Sequence, residues 1–328
     1  MTMRSDGRYV PVDIDLTIPG TPVTWIDATQ LRLAHPRFDQ SIRHLVATRD
    51  AVASFRSPLE ALLSPEDAVG SAAPTAFVFH VSRCGSTALV NALQQIEHCL
   101  VAAEMPAVSG LLAPHDWSAE AVDLASCLRA LVWRIGTLRS DPAAPYFVKL
   151  TSWNALRLKT FANLWPHTPW FFVTRSPAEV VVAQMENRDS RRGWLSWRRF
   201  EADVQALTGW ERAWIDRASD AEYCARMVGA LLQSAVDRSE GRILMHYPMI
   251  GSTTLNPVLN GLGLILGEAE QYAIDQSFKR YSKDPSGSSF FMPDDRLKQK
   301  QVTAEILSAC SRWADPACEA LLAAGKSV

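Results

Sequence analysis

The sequence predicts an α/β protein built on a mainly parallel, doubly wound sheet that is flanked by helices and preceded by an N-terminal extension. Two observations support this fold class. Five short apolar runs are spread along the chain and are separated by segments with helical periodicity, an alternation that is typical of parallel sheets. The chain has 328 residues, of which 48% are hydrophobic and 21% are charged, so it can bury one large core.

The five apolar runs predict five buried strands, at 76–81, 98–103, 146–153, 170–174 and 242–248. Helical patterns separate or follow them, at 119–139, 154–165, 178–187, 200–237 and 255–266, with a final helix from about 303. Strands joined through helices need crossover connections and are therefore expected to be parallel. Their carboxyl ends then meet at one edge of the sheet.

Residues 1–72 are expected to form the N-terminal extension, and residues 73–328 the α/β domain. Alternating apolar residues at 10–16 predict an edge strand, and the segment from Phe38 has helical character. A Gly-Ser-Ala-Ala-Pro run at 70–74 is typical of a linker. The extension shows no motif that suggests chemistry, and we expect it to pack on the domain.

Charge and composition exclude several function classes. The formal net charge of −2 gives no basic field for nucleic acid or for an anionic membrane surface. The first residues contain no apolar core of a signal peptide, and no apolar run approaches the roughly 18 residues of a membrane span. The six cysteines show no C-x-x-C spacing, which argues against a zinc site. We therefore expect a cytoplasmic protein with no nucleic-acid partner, no membrane partner and no bound metal.

The loop that follows the first predicted strand, at 82–87, reads Ser-Arg-Cys-Gly-Ser-Thr and leads into a helix. A P-loop-like strand, tight loop and helix start direct backbone N–H groups and a helix dipole at one point, where a phosphate or sulfate can bind. The loop is not a Walker A motif, because Gly85 is followed directly by Ser86 without the lysine of that motif. An ordinary strand-to-helix turn remains the alternative.

Charged residues lie in or directly after three further predicted strands. Glu104 follows the second strand, Lys149 lies inside the third, and Arg175 follows the fourth. Lys149 interrupts an apolar run, which is costly unless the ammonium has an anionic partner or reaches solvent. Because ligands of open α/β sheets bind at the carboxyl ends of the strands, these groups and Arg83 could converge on a ligand with two anionic groups. Lys283, in a late Gly/Ser/Lys loop, is a further candidate.

The ordered set of these motifs resembles the family of sulfotransferases that use 3′-phosphoadenosine 5′-phosphosulfate (PAPS), in particular a bacterial branch. The four motifs are S-R-C-G-S-T at 82–87, E-x-P at 104–106, V-K-x-x-S-W at 148–153 and R-x-P-x-E-V at 175–180. The late Ser-Lys-Asp-Pro at 282–285, together with Phe290 and the segment 294–298, is similar to the C-terminal loop of that branch. The resemblance runs from about residue 76 to the end of the chain.

The resemblance implies PAPS as co-substrate, its bisphosphate PAP as product, and no metal. It implies that the loop binds the 5′-phosphosulfate, through Arg83, Cys84, Gly85, Ser86 and Thr87. It also implies that Arg175 binds the 3′-phosphate and that Lys283 is a further contact to the donor phosphates. One departure concerns the 3′-phosphate, because many members have a serine where this chain has Ala183.

The second departure concerns the catalytic base. Cytosolic members carry a histidine two residues after the strand lysine, where this chain has Thr151. Carbohydrate-modifying relatives use a glutamate in the region of Glu104, so we expect Glu104 to take the proton of the acceptor. Lys149 and Arg83 are expected to stabilise charge on the bridging and leaving oxygens. His80 and His246 are the alternatives for the base.

The sequence thus predicts an enzyme that transfers a sulfuryl group from PAPS to a hydroxyl or amine of a small-molecule or carbohydrate acceptor. One alternative is a P-loop kinase-like phosphotransferase. It is disfavoured because no lysine precedes Ser86 and no strand ends in a magnesium-binding aspartate. Another alternative is a catalytically degenerate nucleotide-binding protein, which Ala183 favours.

Overall fold

The computed structural model describes residues 8–49, 51–63, 73–113, 123–187, 193–198, 201–282, 289–292 and 295–324. Within these ranges, residues before 64 form a small antiparallel sheet, and residues from 73 onward form a parallel sheet with helices. Lys283 lies outside the described residues.

The N-terminal residues form a three-stranded antiparallel sheet with the order β1-β2-β3. Its strands are β1 (Tyr9–Ile14), β2 (Val23–Asp27) and β3 (Ser54–Ser57), and helix α1 (Phe38–Ala47) lies between the last two along the chain. A 3-10 helix at Leu59–Leu63 follows. The indole Nε1 of Trp25 donates a hydrogen bond of 2.8 Å to the Ser57 hydroxyl, which ties β2 to β3 inside the core.

The central sheet contains five parallel strands, so the predicted fold class is confirmed. They are β4 (Ala76–His80), β5 (Leu100–Ala103), β6 (Tyr146–Lys149), β7 (Trp170–Thr174) and β8 (Arg242–His246). The order is β5-β6-β4-β7-β8, with every pairing parallel. All residues of the first four of these strands are buried, as expected for a sheet that is covered on both faces.

Helices follow the strands in the doubly wound arrangement. After β4 come α2 (Ser86–Leu93), α3 (Pro106–Leu111), α4 (Leu124–Gly136), α5 (Leu158–Leu164), α6 (Pro177–Met185) and α7 (Trp194–Trp197). The remaining helices are α8 (Glu201–Thr208), α9 (Arg212–Arg217), α10 (Asp220–Val236), α11 (Ser252–Gly261), α12 (Glu268–Phe278), α13 (Asp295–Gln301), α14 (Ala304–Trp313) and α15 (Asp315–Ala324). Helix α10 packs against α6, α14 and α15, and α12 packs against α2.

The chain leaves the central strand β4 for β5 and β6 on one side of the sheet, and later fills β7 and β8 on the other. The direction of winding therefore reverses beside β4. In open α/β sheets, a crevice forms outside the carboxyl ends of the strands at such a reversal. The loop after β4 and the loop after β7 border this point, so the topology brings 82–87 close to Arg175.

The N-terminal sheet packs directly on the helices that follow β5. Gly110 of α3 lies so close to β1 that a Cβ atom there would be 1.7 Å from the Ile14 carbonyl oxygen. The N-terminal residues also contact the end of α2. The side chain of Gln94, the C-cap residue of α2, donates hydrogen bonds of 3.0 and 3.1 Å to the carbonyls of Leu33 and His35. These contacts hold the chain before α1 against the helix that follows the polar loop.

Candidate active site

A cleft of about 1350 Å³ lies at the carboxyl edge of the central sheet. Its walls come from the loop 82–87, from the strand ends of β5, β6 and β7, and from α12. The segment before α1 and the start of that helix form another wall, at 34–43. The cleft therefore brings together Arg83, Cys84, Gly85, Ser86, Thr87, Glu104, Lys149 and Arg175, all of which the sequence singled out.

The loop after β4 adopts a strained conformation. Ser82 and Arg83 have φ angles of 67° and 51°, and Gly85 has a φ of 84°. The left-handed region costs an L-residue other than glycine about 1–2 kcal/mol. These angles turn the chain sharply between β4 and α2, so that the N–H groups at the start of α2 are available to bind an anion.

Three buried side chains hold this loop. The Ser82 N–H donates a 3.0 Å hydrogen bond to Nδ1 of His80, and the amide of Gln184 donates one of 3.1 Å to the Ser82 hydroxyl. The Arg175 guanidinium donates to the Arg83 carbonyl at 3.3 Å. His80, Gln184 and Arg175 are each 5% exposed or less, so the loop conformation is fixed by the protein interior.

Helix α2 begins at Ser86, within the segment 82–87, and directs its N-terminus into the cleft. Gly85 is the N-cap residue, and no side chain caps the helix there. The uncapped N–H groups and the dipole of this eight-residue helix favour an anion at its start. Cys84 is fully buried, and burial raises the pKa of its thiol to about 11. Cys84 therefore contributes backbone and packing rather than a thiolate nucleophile.

Lys149 and Glu104 form a buried ion pair at the adjacent strand ends. Lys149 is the last residue of β6 and is fully buried, and its Nζ contacts Oε1 of Glu104. Glu104 follows β5 with a φ of 55°, and its N–H donates to the Lys149 carbonyl at 2.8 Å. The apolar run around Lys149 required an anionic partner, and Glu104 provides it.

Glu104 stays ionised because cations surround it. Burial raises the pKa of Glu104, but the charge and hydrogen bond of Lys149 and the charge of Arg37 outweigh burial and hold it at about 2. Nε of Arg37 lies 3.4 Å from Oε2, the second oxygen of the carboxylate. About a fifth of the Glu104 side chain is exposed. The carboxylate is thus in the form that can accept a proton, at the edge of an open cleft.

His80, the first alternative base, has both ring nitrogens engaged. Nδ1 accepts the Ser82 N–H, and Nε2 lies 3.0 Å from the Leu150 carbonyl, so Nε2 carries the proton. Burial and the charge of Lys149 lower the pKa of His80 to about 3. His80 therefore supports the loop as a neutral imidazole.

His246, the second alternative base, is the last residue of β8 and pairs in register with Thr174. Burial lowers the pKa of His246, and the residue is not among the described side chains that line the cleft.

Arg175 reaches the cleft from a buried position. Its Nε donates a 2.6 Å hydrogen bond to Glu179 one turn along α6, and its guanidinium stacks at 4.2 Å over the ring of Tyr247. Glu179 belongs to the same R-x-P-x-E-V motif, and its carboxylate holds the arginine at the mouth of the loop.

Three residues of the cleft were not identified from the sequence. Lys298 of α13 is only 8% exposed, lines the cleft and lies 3.3 Å from the Glu186 carboxylate. Gln184 supports the loop, and Arg37 contacts the proposed base. Gln184 could have been noticed because it closely follows the arginine motif. Lys298 ends the late segment 294–298 that belongs to the resemblance, which implies no role for it, and Arg37 lies in an ordinary polar segment that carries no sequence signal.

Among the described residues, no group of three or more histidine, cysteine, aspartate or glutamate side chains is placed to hold a metal ion. In the same part of the chain, every helix is too short or too polar to cross a membrane.

No protein-family profile matches the sequence, and no curated protein matches it. Among solved structures, the chain is similar to a sulfotransferase domain from the curacin biosynthetic pathway. The two chains are 10% identical, the match covers 74% of this chain and 98% of that one, and the TM-score is 0.39.

Proposed function

We propose that this protein is a PAPS-dependent sulfotransferase that modifies a hydroxyl or amine of a small-molecule or carbohydrate acceptor. The observation that carries the proposal is the combination of a prebuilt anion loop with a buried Lys149–Glu104 pair beside it in one cleft. We further propose that residues 73–328 form the catalytic domain and that residues 1–72 are an extension packed on it.

The residues around the loop fit a sulfate donor. The N–H groups of the loop and of the first turn of α2 would bind the 5′-phosphosulfate, with Gly85, Ser86 and Thr87 closest to it. A Cβ on Gly85 would lie 3.4 Å from both Tyr247 and Ile250. Gly85 therefore packs closely against these two side chains. Arg83 would add a charge to the leaving phosphate.

The 3′-phosphate needs a second set of cations. Ala183, which replaces the serine expected there, lines the cleft, but its methyl side chain cannot form a hydrogen bond. Arg175 lines the same cleft, and Lys298 supplies an ammonium near Glu186. We propose that Arg175 and Lys298 hold the 3′-phosphate and that Lys298 offsets the missing hydroxyl. The assignment of Lys283 as a further phosphate contact also remains a proposal.

Sulfuryl transfer is an in-line displacement, in which positioning and cations lower the barrier. The bond between sulfur and the bridging oxygen of the 5′-phosphate breaks while a bond forms between sulfur and the acceptor oxygen or nitrogen. Glu104 would accept the proton that the acceptor loses. Lys149, which lies against that carboxylate, would turn toward the bridging oxygen and stabilise the charge that develops there.

Isothermal titration calorimetry with the product PAP, and separately with ADP and Mg²⁺, tests the donor. We expect PAP to bind without metal and ADP to bind much more weakly, since the cleft offers no Walker lysine. Tight, magnesium-dependent ADP binding together with no PAP binding would instead establish a phosphotransferase. PAP binding with no sulfate transfer to any member of a broad hydroxyl and amine panel would indicate a degenerate enzyme.

Turnover of Glu104→Gln tests the base. Loss of a general base reduces turnover by about 10²–10⁴-fold. Glu97→Gln is the matched control. Glu97 precedes β5, the strand that Glu104 follows, but its side chain is 77% exposed. We expect the control to keep wild-type turnover. Full activity of Glu104→Gln with labelled PAPS would contradict the assignment.

A further inference from the structure

The segment before α1 places one cation directly on the carboxylate that we propose as the base. Arg37 is the N-cap residue of α1, and its Nε lies 3.4 Å from Oε2 of Glu104. Its Nη2 lies 3.1 Å from Oδ1 of Asp39. The other carboxylate oxygen of Glu104, Oε1, contacts Nζ of Lys149. The two oxygens of Glu104 are therefore held by two cations from different parts of the chain.

These two cations differ in what donor binding would do to them. If Lys149 turns toward the bridging oxygen of the donor, Oε1 of Glu104 loses its partner at the moment when the carboxylate has to accept a proton. Arg37 faces the opposite oxygen and reaches it from the cleft wall at 34–43, which is separate from the donor loop at 82–87. The Gln94 hydrogen bonds to Leu33 and His35 fix the backbone beside it.

The other groups that face Glu104 cannot replace Lys149. His80 lies 3.9 Å from Oε1 but is a buried neutral imidazole. Arg83 is close enough for its charge to interact with that of Glu104, yet it lies in the donor loop and would turn toward the phosphosulfate. Among the described residues, Arg37 is then the cation that stays on the carboxylate during the reaction.

Resting on the proposed sulfotransferase function, we propose that Arg37 is a positioning residue that holds Oε2 of Glu104, so that the carboxylate stays ionised and correctly turned after Lys149 moves to the donor. The N-terminal segment thereby completes the active site. This role depends on the positive charge of Arg37 and acts only through Glu104.

The test measures the ionisation of Glu104 directly, by NMR of protein with ¹³C-labelled glutamate carboxyls, and the signal is assigned with Glu104→Gln. Titrations between about pH 3 and pH 8 are run on free and on PAP-saturated protein. In the wild type with PAP bound, we expect Glu104 to remain ionised throughout. In Arg37→Gln with PAP bound, we expect its pKa to rise by about one to three units, as follows from removing a cation within 4 Å.

Two further variants separate charge from structure. Arg37→Lys keeps the positive charge and should therefore give a Glu104 titration close to that of the wild type. If the shape of the arginine mattered instead of its charge, the Glu104 titration of Arg37→Lys would stay perturbed. Arg43→Gln is the matched control, since Arg43 contacts the same Asp39 at 3.1 Å but is 63% exposed and makes no contact with Glu104. We expect the control to titrate like the wild type.

An unchanged Glu104 titration in PAP-saturated Arg37→Gln would overturn the inference and leave the proposed function intact, provided that PAP still binds. Failure of the wild-type protein to bind PAP would instead remove the proposed function. In that case the titrations of the free protein decide whether Arg37 controls the ionisation of Glu104. Equal Glu104 titrations in the free wild type and in free Arg37→Gln would then overturn the role of Arg37 as well.

Discussion

Replacing Glu104 with glutamine should destabilise the protein strongly, apart from any effect on catalysis. Lys149 is fully buried, and the carboxylate of Glu104 is its counter-ion. The neutral amide of Glu104→Gln leaves the ammonium buried without a compensating charge. Removing one partner of a buried ion pair typically costs about 3–5 kcal/mol, and we expect a loss of that size in the free energy of unfolding.

The pKa of Glu104 reports the net effect of burial and of all the charges around the carboxylate, of which Lys149 is the largest. The native carboxyl has a pKa of about 2 against an ordinary 4.5, which corresponds to about 3 kcal/mol of stability at neutral pH. Because the native value is depressed, this stabilisation is complete above about pH 4.5 and disappears as the pH falls toward 2. The wild type should therefore lose stability over this range more steeply than Glu104→Gln does.

Urea unfolding followed by tryptophan fluorescence measures both effects. Glu97→Gln is the exposed control, which should change stability by less than about 0.5 kcal/mol. The double variant Lys149→Met/Glu104→Gln removes both charges, so it should be more stable than the sum of the single losses predicts, by about 1–3 kcal/mol. A Glu104→Gln loss below about 1 kcal/mol, or simple additivity in the double variant, would refute this reasoning.

Two further predictions concern packing and reactivity. Gly110→Ala should lower the free energy of unfolding by at least about 2 kcal/mol, because the new Cβ would lie 1.7 Å from the Ile14 carbonyl oxygen. Gly261→Ala is the control and should cause no such loss, because a Cβ at Gly261 would have no atom within 4 Å. Urea unfolding decides, and equal midpoints for the two variants would contradict the close packing of β1 on α3. Cys84 should resist iodoacetamide in the native state near pH 7.5, since burial raises its thiol pKa to about 11. Mass spectrometry of the labelled protein measures the modification of Cys84. Rapid modification in the native state would show that the thiol is accessible and would contradict its burial.

The central sheet could be predicted from the sequence because its signals are local. Strand β7 occupies the predicted residues Trp170–Thr174, and β6 stops at Lys149, four residues earlier than expected, where a 3-10 helix begins at Ser152. Strand β3 was not predicted, since its short Ser-Phe-Arg-Ser sequence has no run of apolar residues. Its pairing depends on β2, which lies about thirty residues away in the chain.

The predicted helix at 200–237 is three helices in the structure. Gly209, with a φ of 69°, ends α8, and the Ser219 hydroxyl accepts the Glu222 N–H in a capping box that starts α10. Both signals are visible in the sequence, as a glycine and as a serine followed three residues later by glutamate. The apolar periodicity that continues across these positions concealed them.

The grouping of Arg83, Glu104, Lys149 and Arg175 could be predicted because parallel strands end at one edge, and the structure places all four at the same cleft. The direct contact between Lys149 and Glu104 required more than this rule, since it depends on β5 and β6 being neighbours in the sheet. The part played by Arg37 depends on how the N-terminal segment packs, which no local pattern encodes.

The composition of the loop explains why these supporting contacts matter. A loop made mostly of glycine can adopt left-handed backbone angles at little cost, but this loop has Ser82 and Arg83 in that region, at about 1–2 kcal/mol each. The cost is offset by two hydrogen bonds, one from the Ser82 N–H to His80 and one from the Gln184 amide to the Ser82 hydroxyl, which fix the loop before any ligand arrives. Pre-organisation of this kind lowers the cost of binding an anion, and it lets Arg83 place a charged side chain where glycine would leave only backbone. We therefore expect variants of His80 and Gln184 to weaken PAP binding in calorimetry although neither residue carries a charge, and wild-type affinity in both would show that the loop needs no support.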